Sequence, residues 1–546
     1  MPEDFNSIPP GYKRGKTKYI VVVGSVISGV GKGTFTSSLG NILALHHGYR
    51  VSPIKFDGYL NCDAGTLNPY RHGEVFVLED GTECDLDLGT YERMLNTNLT
   101  NENYLTAGKL FKMMIDKERT GGYLGRDVQF IPHVTGEIKL FLRKLAMSSN
   151  ADIVLIEVGG TVGDIENSYF LEAIRELMHE EGKENLCLIS IVYILEPGSL
   201  GEQKSKAAQL GLKTLLSIGL KPDIVVCRAE RPVSESVREK IAVFSNTAIE
   251  RVISLHDVQN IHKVPVFLRE NRIDKHVLGI LGLRERRCAT YREWEDFIKK
   301  VDAAKKTVNI AIAGKYTGVH DAYISIIKAL EHAAPQFGAR PEITWIETTE
   351  LKDAKKMLGH VDGLIVPGGF GARGIEGKIE CIRYARENSL PFLGLCLGFQ
   401  LAVIEWARSV LGLNANSTEF EPNTPHPVID IMPEQKGKQL GGTMRLGKQT
   451  SIIKKGSIVH KLYGRLVVEE RHRHRYEVNP KYIQMIERSG LVFSGKSPDG
   501  RMEFLELPGH PFFVATQAHP EFSSKPLSPN PLFKGFVRAC LEKSSR

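Results

Sequence analysis

The chain is built on a rhythm of short apolar runs that stop at glycine or proline and give way to helical periodicity. Residues 18–26 (KYIVVVGSV) form the first run, and residues 151–158 (ADIVLIEV), 185–195 and 223–227 repeat it. Helical patterns lie between them, at residues 34–48, 168–179 and 205–216. A strand without polar alternation is buried on both faces, which marks a parallel sheet covered by helices. The rhythm restarts near Thr307, with strands at residues 308–313, 361–367 and 391–396 and a helix at 323–332. The fold class expected is α/β, with two doubly wound, largely parallel-sheet domains. Residues 1–17 read as an arm and 18–290 as the first domain. Residues 291–307, charged and free of proline, read as a helical linker, and 308–546 as the second domain.

Composition narrows the partners. The 546 residues are 42% hydrophobic and 25% charged, which excludes disorder, collagen and coiled coil as readings of the whole chain. The net charge of +7 (71 − 64) is spread thinly and suits a polyanionic small molecule such as a nucleotide. It does not point to nucleic acid, because no basic block with interleaved aromatics occurs. The nearest is the alternating run from Arg471 to Arg475, which reads as a solvated strand with arginines on one face and histidines on the other. None of the eight cysteines has metal-finger or redox CxxC spacing. No apolar run is long enough for a membrane span and no secretory leader is visible, so the expected compartment is the cytoplasm.

The first run feeds a glycine-rich turn, Gly24 to Thr34 (GSVISGVGKGT), ahead of a helix. Backbone N–H groups in such a turn cradle phosphate oxygens, and the helix N-terminus favours negative charge. Lys32 adds a point charge, although Gly33 separates it from Thr34, so the match to GxxxxGK[ST] is not strict. Other charged residues fall near strand ends, where open α/β sheets bind ligands: Lys55, Asp85, Asp87 and Glu157. Asp85 and Asp87 share a face if the chain is extended there. Two separated carboxylates beside a triphosphate suit Mg²⁺, which keeps several waters.

The second half carries a different chemistry. Gly394-Leu395-Cys396-Leu397-Gly398 follows an apolar strand and precedes a helical pattern, as a nucleophile elbow requires. A helix N-terminus favours the thiolate form of a cysteine. The Leu397 N–H can supply half an oxyanion hole, and the turn at residues 367–371 (PGGFG) the other half. A cysteine nucleophile needs a base and a group to orient it, and His519 and Glu521 offer both, sharing a face if the chain is extended.

Together these motifs resemble the CTP synthase family over nearly the whole chain. The resemblance rests on ISGVGKG (27–33), HGEVFVLEDG (72–81), DLDLGTYER (85–93), EVGGTVGDIE (157–166), PGGFGARG (367–374), GLCLGFQ (394–400), NSTEF (416–420), GGTMRLG (441–447), RHRHRYEVN (471–479) and HPEF (519–522). The second half also resembles class I glutamine amidotransferases. The resemblance implies ATP-dependent amination of UTP to CTP. ATP phosphorylates the uracil O4, and ammonia from glutamine passes through a tunnel and displaces that phosphate. It implies Cys396 as nucleophile, His519 as base and Glu521 as its partner, with glutamine held by Gly369, Leu397, Gln400, Glu419 and Arg475. ATP is implied along Gly29, Val30, Gly31, Lys32, Gly33 and Thr34, with Lys32 and Lys55 catalytic and Asp87 and Asp257 also at the ATP site. Mg²⁺ falls to Asp87 and Glu157. UTP, or inhibitory CTP, falls to Ser28, Asp164, Ile165, Glu166, Lys204, Lys206, Gln209 and Lys240. A homotetramer and activation by GTP are implied as well.

The departures from the family pattern lie in the first half. Its KTKPTQ is here Lys204-Ser205-Lys206-Ala207-Ala208-Gln209, its DPY is Asp57-Gly58-Tyr59, and its GG is Gly24-Ser25. The stretch at residues 194–200 (ILEPGSL) is also atypical. These bear on nucleotide affinity, feedback inhibition and tetramer geometry. Two other readings stay open: an amidotransferase of the same architecture with another substrate, and a regulatory or filament-forming paralogue with weak synthesis.

Overall fold

Valine and isoleucine fill the strand Lys18–Gly24 (β1), and its side chains alternate between two cores. Tyr19, Val21 and Val23 pack with Ile54, Phe56 and Ile156 on one face. Ile20 and Val22 pack with Phe35, Leu39 and Leu155 on the other. Each fully buried aliphatic side chain contributes about 1.5–3 kcal/mol, so a strand covered on both faces anchors its sheet. The computed structural model describes residues 6–198, 201–258, 260–351, 353–435, 437 and 443–544. Residues 1–5 of the arm, Ser199 and Leu200 of the atypical stretch, and Gly441 and Gly442 of GGTMRLG lie outside the described residues.

The chain divides into two compact units, Met1–Asp63 with Thr90–Glu293, and Ala64–Gly89 with Trp294–Arg546. In the first unit β1 is joined by Val51–Asp57 (β2), Tyr104–Thr106 (β3), Ile153–Val158 (β4), Leu186–Tyr193 (β5), Ile224–Ala229 (β6) and Val252–His256 (β7). The strand order is β3-β2-β4-β1-β5-β6-β7, with every pairing parallel. The helix expected at 34–48 begins at Lys32, runs as α-helix to Asn41 and closes in a π turn, Ile42–His46. The described part of the arm is docked. Arg143, fully buried on the helix Thr135–Ser148, donates to Ser7 O and Oγ at 3.1 and 2.8 Å. Glu181 accepts from the Tyr12 hydroxyl at 3.0 Å and the Gly15 N–H at 3.3 Å.

The large sheet of the second unit is made of Lys306–Gly314 (β8), Ala339–Glu347 (β9), Gly363–Val366 (β10), Phe392–Leu395 (β11), Arg445–Ile453 (β12), Val467–His474 (β13), Val492–Lys496 (β14), Met502–Glu506 (β15) and Phe513–Thr516 (β16). Their order is β9-β8-β10-β11-β16-β15-β14-β12-β13. The sheet is parallel from β9 to β16 and antiparallel from β16 to β13. The antiparallel half was not expected. Its strand β12 is only partly buried, which antiparallel sheets tolerate.

Residues 64–89, expected from chain position to belong with the first domain, cluster with this second unit. Within it they form a short helix, Pro69–His72, and a hairpin of Phe76–Val77 with Glu83–Cys84. Strand β13 holds them. Arg471 donates to Val77 O at 3.0 Å, and Arg473 donates to Glu83 Oε1 at 2.7 Å and Gly65 O at 3.0 Å. The basic run is therefore not a solvated strand. Arginines and histidines do take opposite faces, but Arg471, His472 and His474 are all buried. Burial, and then the Arg445 charge, push both histidines far below the usual imidazole range, so they are neutral. Among the described residues, no helix is long and apolar enough to cross a membrane.

Candidate active sites

Three neighbouring parallel strands of the second unit deliver its chemistry at their carboxyl ends. The turn Pro367–Gly371 follows β10, Cys396 follows β11 and His519 lies just beyond β16. Cys396 sits at φ 50°, ψ −99°, a strained conformation for a residue with a side chain, immediately before the helix Leu397–Ser409. The elbow is fixed by close packing. A β-carbon on Gly398 would stand 2.1 Å from Val366 O, so only glycine lets the turn seat against β10. The Cys396 N–H donates to Thr516 O at 2.8 Å, tying the elbow to β16.

Thiol and imidazole meet over Gly368. Cys396 Cβ and His519 Nε2 lie 3.6 and 3.7 Å from the point where that glycine would carry a β-carbon. His519 Nδ1 is 2.7 Å from Glu521 Oε1, and the His519 backbone N–H donates to Arg471 O at 2.7 Å. Burial opposes a charge on this imidazole. The carboxylate of Glu521 and then Cys396 outweigh it and raise His519 to about 10. All three residues line one pocket with Gly369, Phe370, Arg473 and, from the 64–89 segment, Pro69, Glu74 and Val75.

Of the remaining glutamine-site candidates, Gln400 and Glu419 bond to neighbours of the pocket-lining residues, while Arg475 bonds to residues that are not among them. Gln400 Nε2 donates to Tyr476 O at 2.9 Å and Gln517 Oε1 at 3.2 Å. Glu419 Oε1 accepts the Gly371 N–H at 2.7 Å. Burial lifts the Glu419 carboxyl above its usual range, against the pull of Gly371 and Lys315. Arg475 donates to Gln435 Oε1 at 3.1 Å and Thr443 Oγ1 at 3.0 Å. Sequence reasoning missed Gln517, whose Nε2 lies 3.6 Å from Cys396 Sγ. Its place two residues before His519, on one face of an extended segment, was the available signal. It also missed Lys315, which donates to Phe370 O.

In the first unit, Lys55 and Glu157 are register partners on β2 and β4. Lys55 Nζ lies 2.9 Å from Glu157 Oε1, both side chains are buried, and the Tyr91 hydroxyl donates to Glu157 Oε2. The phosphate loop runs from β1 to the helix at Lys32. Lys32 is buried and donates to Gly160 O at 2.5 Å, in the turn that follows Glu157. Ser28 and Gly29 are exposed, as a ligand cradle requires. Asp164 accepts from the Thr161 N–H at 2.6 Å and hydroxyl at 2.8 Å, while Ile165 and Glu166 are exposed on the same loop. Lys206 and Gln209 lie on the helix Lys206–Ser217, which packs on the phosphate loop through Gly211 and Ser25.

Lys204 pairs with Glu202 at 2.9 Å, Lys240 is exposed on the helix Glu235–Ser245, and Asp257 is ion-paired with Arg228. Arg228, the partner of Asp257, reaches the phosphate loop, its Nε 3.8 Å from the β-carbon position of Gly31. Gly58 replaces a proline where a β-carbon would stand 2.8 Å from both Glu166 Cβ and Asn167 Oδ1, so the loops approach more closely than a side chain permits.

Asp87 requires a correction. It is not on an extended segment but in the first turn of the helix Leu86–Leu95, where its N–H donates to Asp85 Oδ1 at 2.9 Å. Asp85 thus caps the helix, and the two carboxylates do not share a strand face. Asp87 belongs to the second unit and Glu157 to the first. As to Mg²⁺, Glu157 offers the hard oxygen ligands that ion prefers.

Two family models cover most of the chain. Residues 18–283 match the CTP synthase N-terminus, and residues 318–539 match glutamine amidotransferase class-I. The CTP synthase of Archaeoglobus fulgidus is 52% identical over 529 residues, 96% of this chain and 98% of the relative. That of Saccharolobus solfataricus is 51% identical over 96% of this chain and 99% of its own length. That of Pyrococcus abyssi is 51% identical over 96% and 98%. Relatives so similar from end to end account for both the thiol elbow and the phosphate loop, and the chain belongs to the CTP synthase family.

Proposed function

We propose that this chain makes CTP from UTP, using ATP and the amide nitrogen of glutamine. The observation that carries the reading is the strained Cys396 elbow, facing a His519 imidazole that Glu521 orients. The Cys396 thiolate, whose proton His519 already holds, attacks the side-chain carbonyl carbon of glutamine. The oxyanion is received by the N–H groups of Leu397 and Gly369. His519 returns the proton to the leaving nitrogen, ammonia departs, and water hydrolyses the thioester to glutamate. Gln400, Glu419 and Arg475 hold the rest of the glutamine.

In the first unit, ATP phosphates lie along Gly29 to Thr34, with Asp257 toward the nucleoside. Lys32 and Lys55 neutralise charge as the terminal phosphoryl group passes to the uracil O4. Ammonia then adds at C4 and phosphate leaves. Glu157 is the residue of this unit that would hold Mg²⁺, which when bound neutralises phosphate charge. UTP, or CTP as inhibitor, is held by Ser28, Asp164, Ile165, Glu166, Lys204, Lys206, Gln209 and Lys240. Lysines suit a triphosphate as point charges. The same reading includes a cytoplasmic homotetramer and activation by GTP.

The test is product analysis with UTP, ATP and Mg²⁺, with glutamine and GTP in one tube and ammonium in another. CTP is expected in both. Cys396→Ala should abolish CTP in the glutamine tube alone. Equal loss in both tubes would refute the division of labour. Glutamate release without CTP in either tube would refute UTP as substrate.

A further inference from the structure

Lys378 lies in the first turns of the helix Ile375–Glu387, fully buried, and its Nζ has no hydrogen-bond partner among the described residues. An ammonium is a donor only, and burying one unpaired is costly. Leucine or methionine would fill the same space without that cost, so packing does not account for the residue. Its surroundings do. Nζ lies 3.9 Å from the position a β-carbon would take on Gly369, and Leu397 Cδ2 and Lys315 Cε lie 3.6 and 3.8 Å from the same point. The ammonium therefore stands behind the glycine turn whose front faces Cys396. The titratable groups acting on it are Lys315, Cys396, Glu347 and Cys381. Burial first, and Lys315 next, lower Lys378 to about 7. Its charge thus responds to what stands in front of the turn.

We propose that Lys378 is a positioning residue for glutamine hydrolysis, its ammonium holding the Gly368–Gly369 turn in the form that receives the thiolate and the oxyanion. The inference rests on Cys396 being the nucleophile. The residue acts on the turn through its charge and through its packing behind Gly369.

The test is Lys378→Met, which keeps the length and removes the charge. Glutamine-dependent kcat should fall about 10–100-fold, less than for loss of a direct oxyanion donor, while KM for glutamine changes little. Ammonia-dependent synthesis should be unchanged. Alkylation of Cys396 by iodoacetamide, followed by peptide mass spectrometry across pH, should shift toward alkaline pH. The melting temperature should not fall, because an unpaired buried charge has gone. Unchanged kcat and alkylation, with Cys396→Ala still abolishing glutamine use, would overturn the role of Lys378 alone. Equal loss with both nitrogen sources and a lower melting temperature would make Lys378 structural. Glutamine use by Cys396→Ala would overturn the underlying reading instead.

Discussion

His519 Nδ1 and Glu521 Oε1 lie 2.7 Å apart although a single residue separates them in sequence. The Phe522 ring stacks on the imidazole, centroids 5.0 Å apart and 8° from parallel, so the base is held from its edge and its face. Glu521→Gln should lower glutamine-dependent kcat by roughly 10²–10⁴-fold, the loss expected when a base is no longer held in its working tautomer. Ammonia-dependent synthesis should persist. The pair also sets a pH dependence of stability. His519 is raised from 6.5 to about 10, so its contribution is complete below about 6.5 and is lost as pH rises through about 10. Thermal melts of wild type and variant should converge between those limits. A constant difference across that range would count against a charged imidazole.

The buried pair Lys55–Glu157 makes a second prediction. Lys55→Met leaves Glu157 as a buried carboxylate without its cation, a change that costs about 3–5 kcal/mol. Urea unfolding should show that loss, and both nitrogen sources should fail together. The double variant Lys55→Met, Glu157→Gln should recover much of the stability and none of the activity. Recovery of CTP synthesis in it would remove Lys55 from the reaction.

A third prediction concerns the arm. Arg143 and Glu181 are both fully buried, with Arg143 NH2 2.6 Å from Glu181 Oε1. Arg143→Met should cost about 3–5 kcal/mol by leaving that carboxylate unpaired. It should also free the arm, so that trypsin cuts at Lys13, Arg14 and Lys16 before it cuts elsewhere. Equal protection in wild type and variant would show that other contacts hold the arm.

Local order explains what was legible in the sequence. The β1 run, the phosphate loop, the Cys396 elbow and the His519–Glu521 pair are each written within about ten consecutive residues, where period and turn chemistry act directly. Contacts across the chain left no such trace. Arg473 reaches Glu83 over 390 positions, and nothing local marks either partner. Asp87 was misplaced because alternation of aspartate and leucine also fits a capped helix start, and the cap decided it. Nothing in the sequence around Lys378 separates it from a solvated lysine; its burial does.

Pro69, Glu74 and Val75 give the Cys396 pocket one of its walls, yet they are encoded far upstream of the rest of that unit. A gene cut at residue 294 would therefore yield a second half with a breached chamber, in which Arg471 loses Val77 and Arg473 loses Glu83 and Gly65. The thiol site and the segment that walls it are one compact unit written in two separate stretches of the gene.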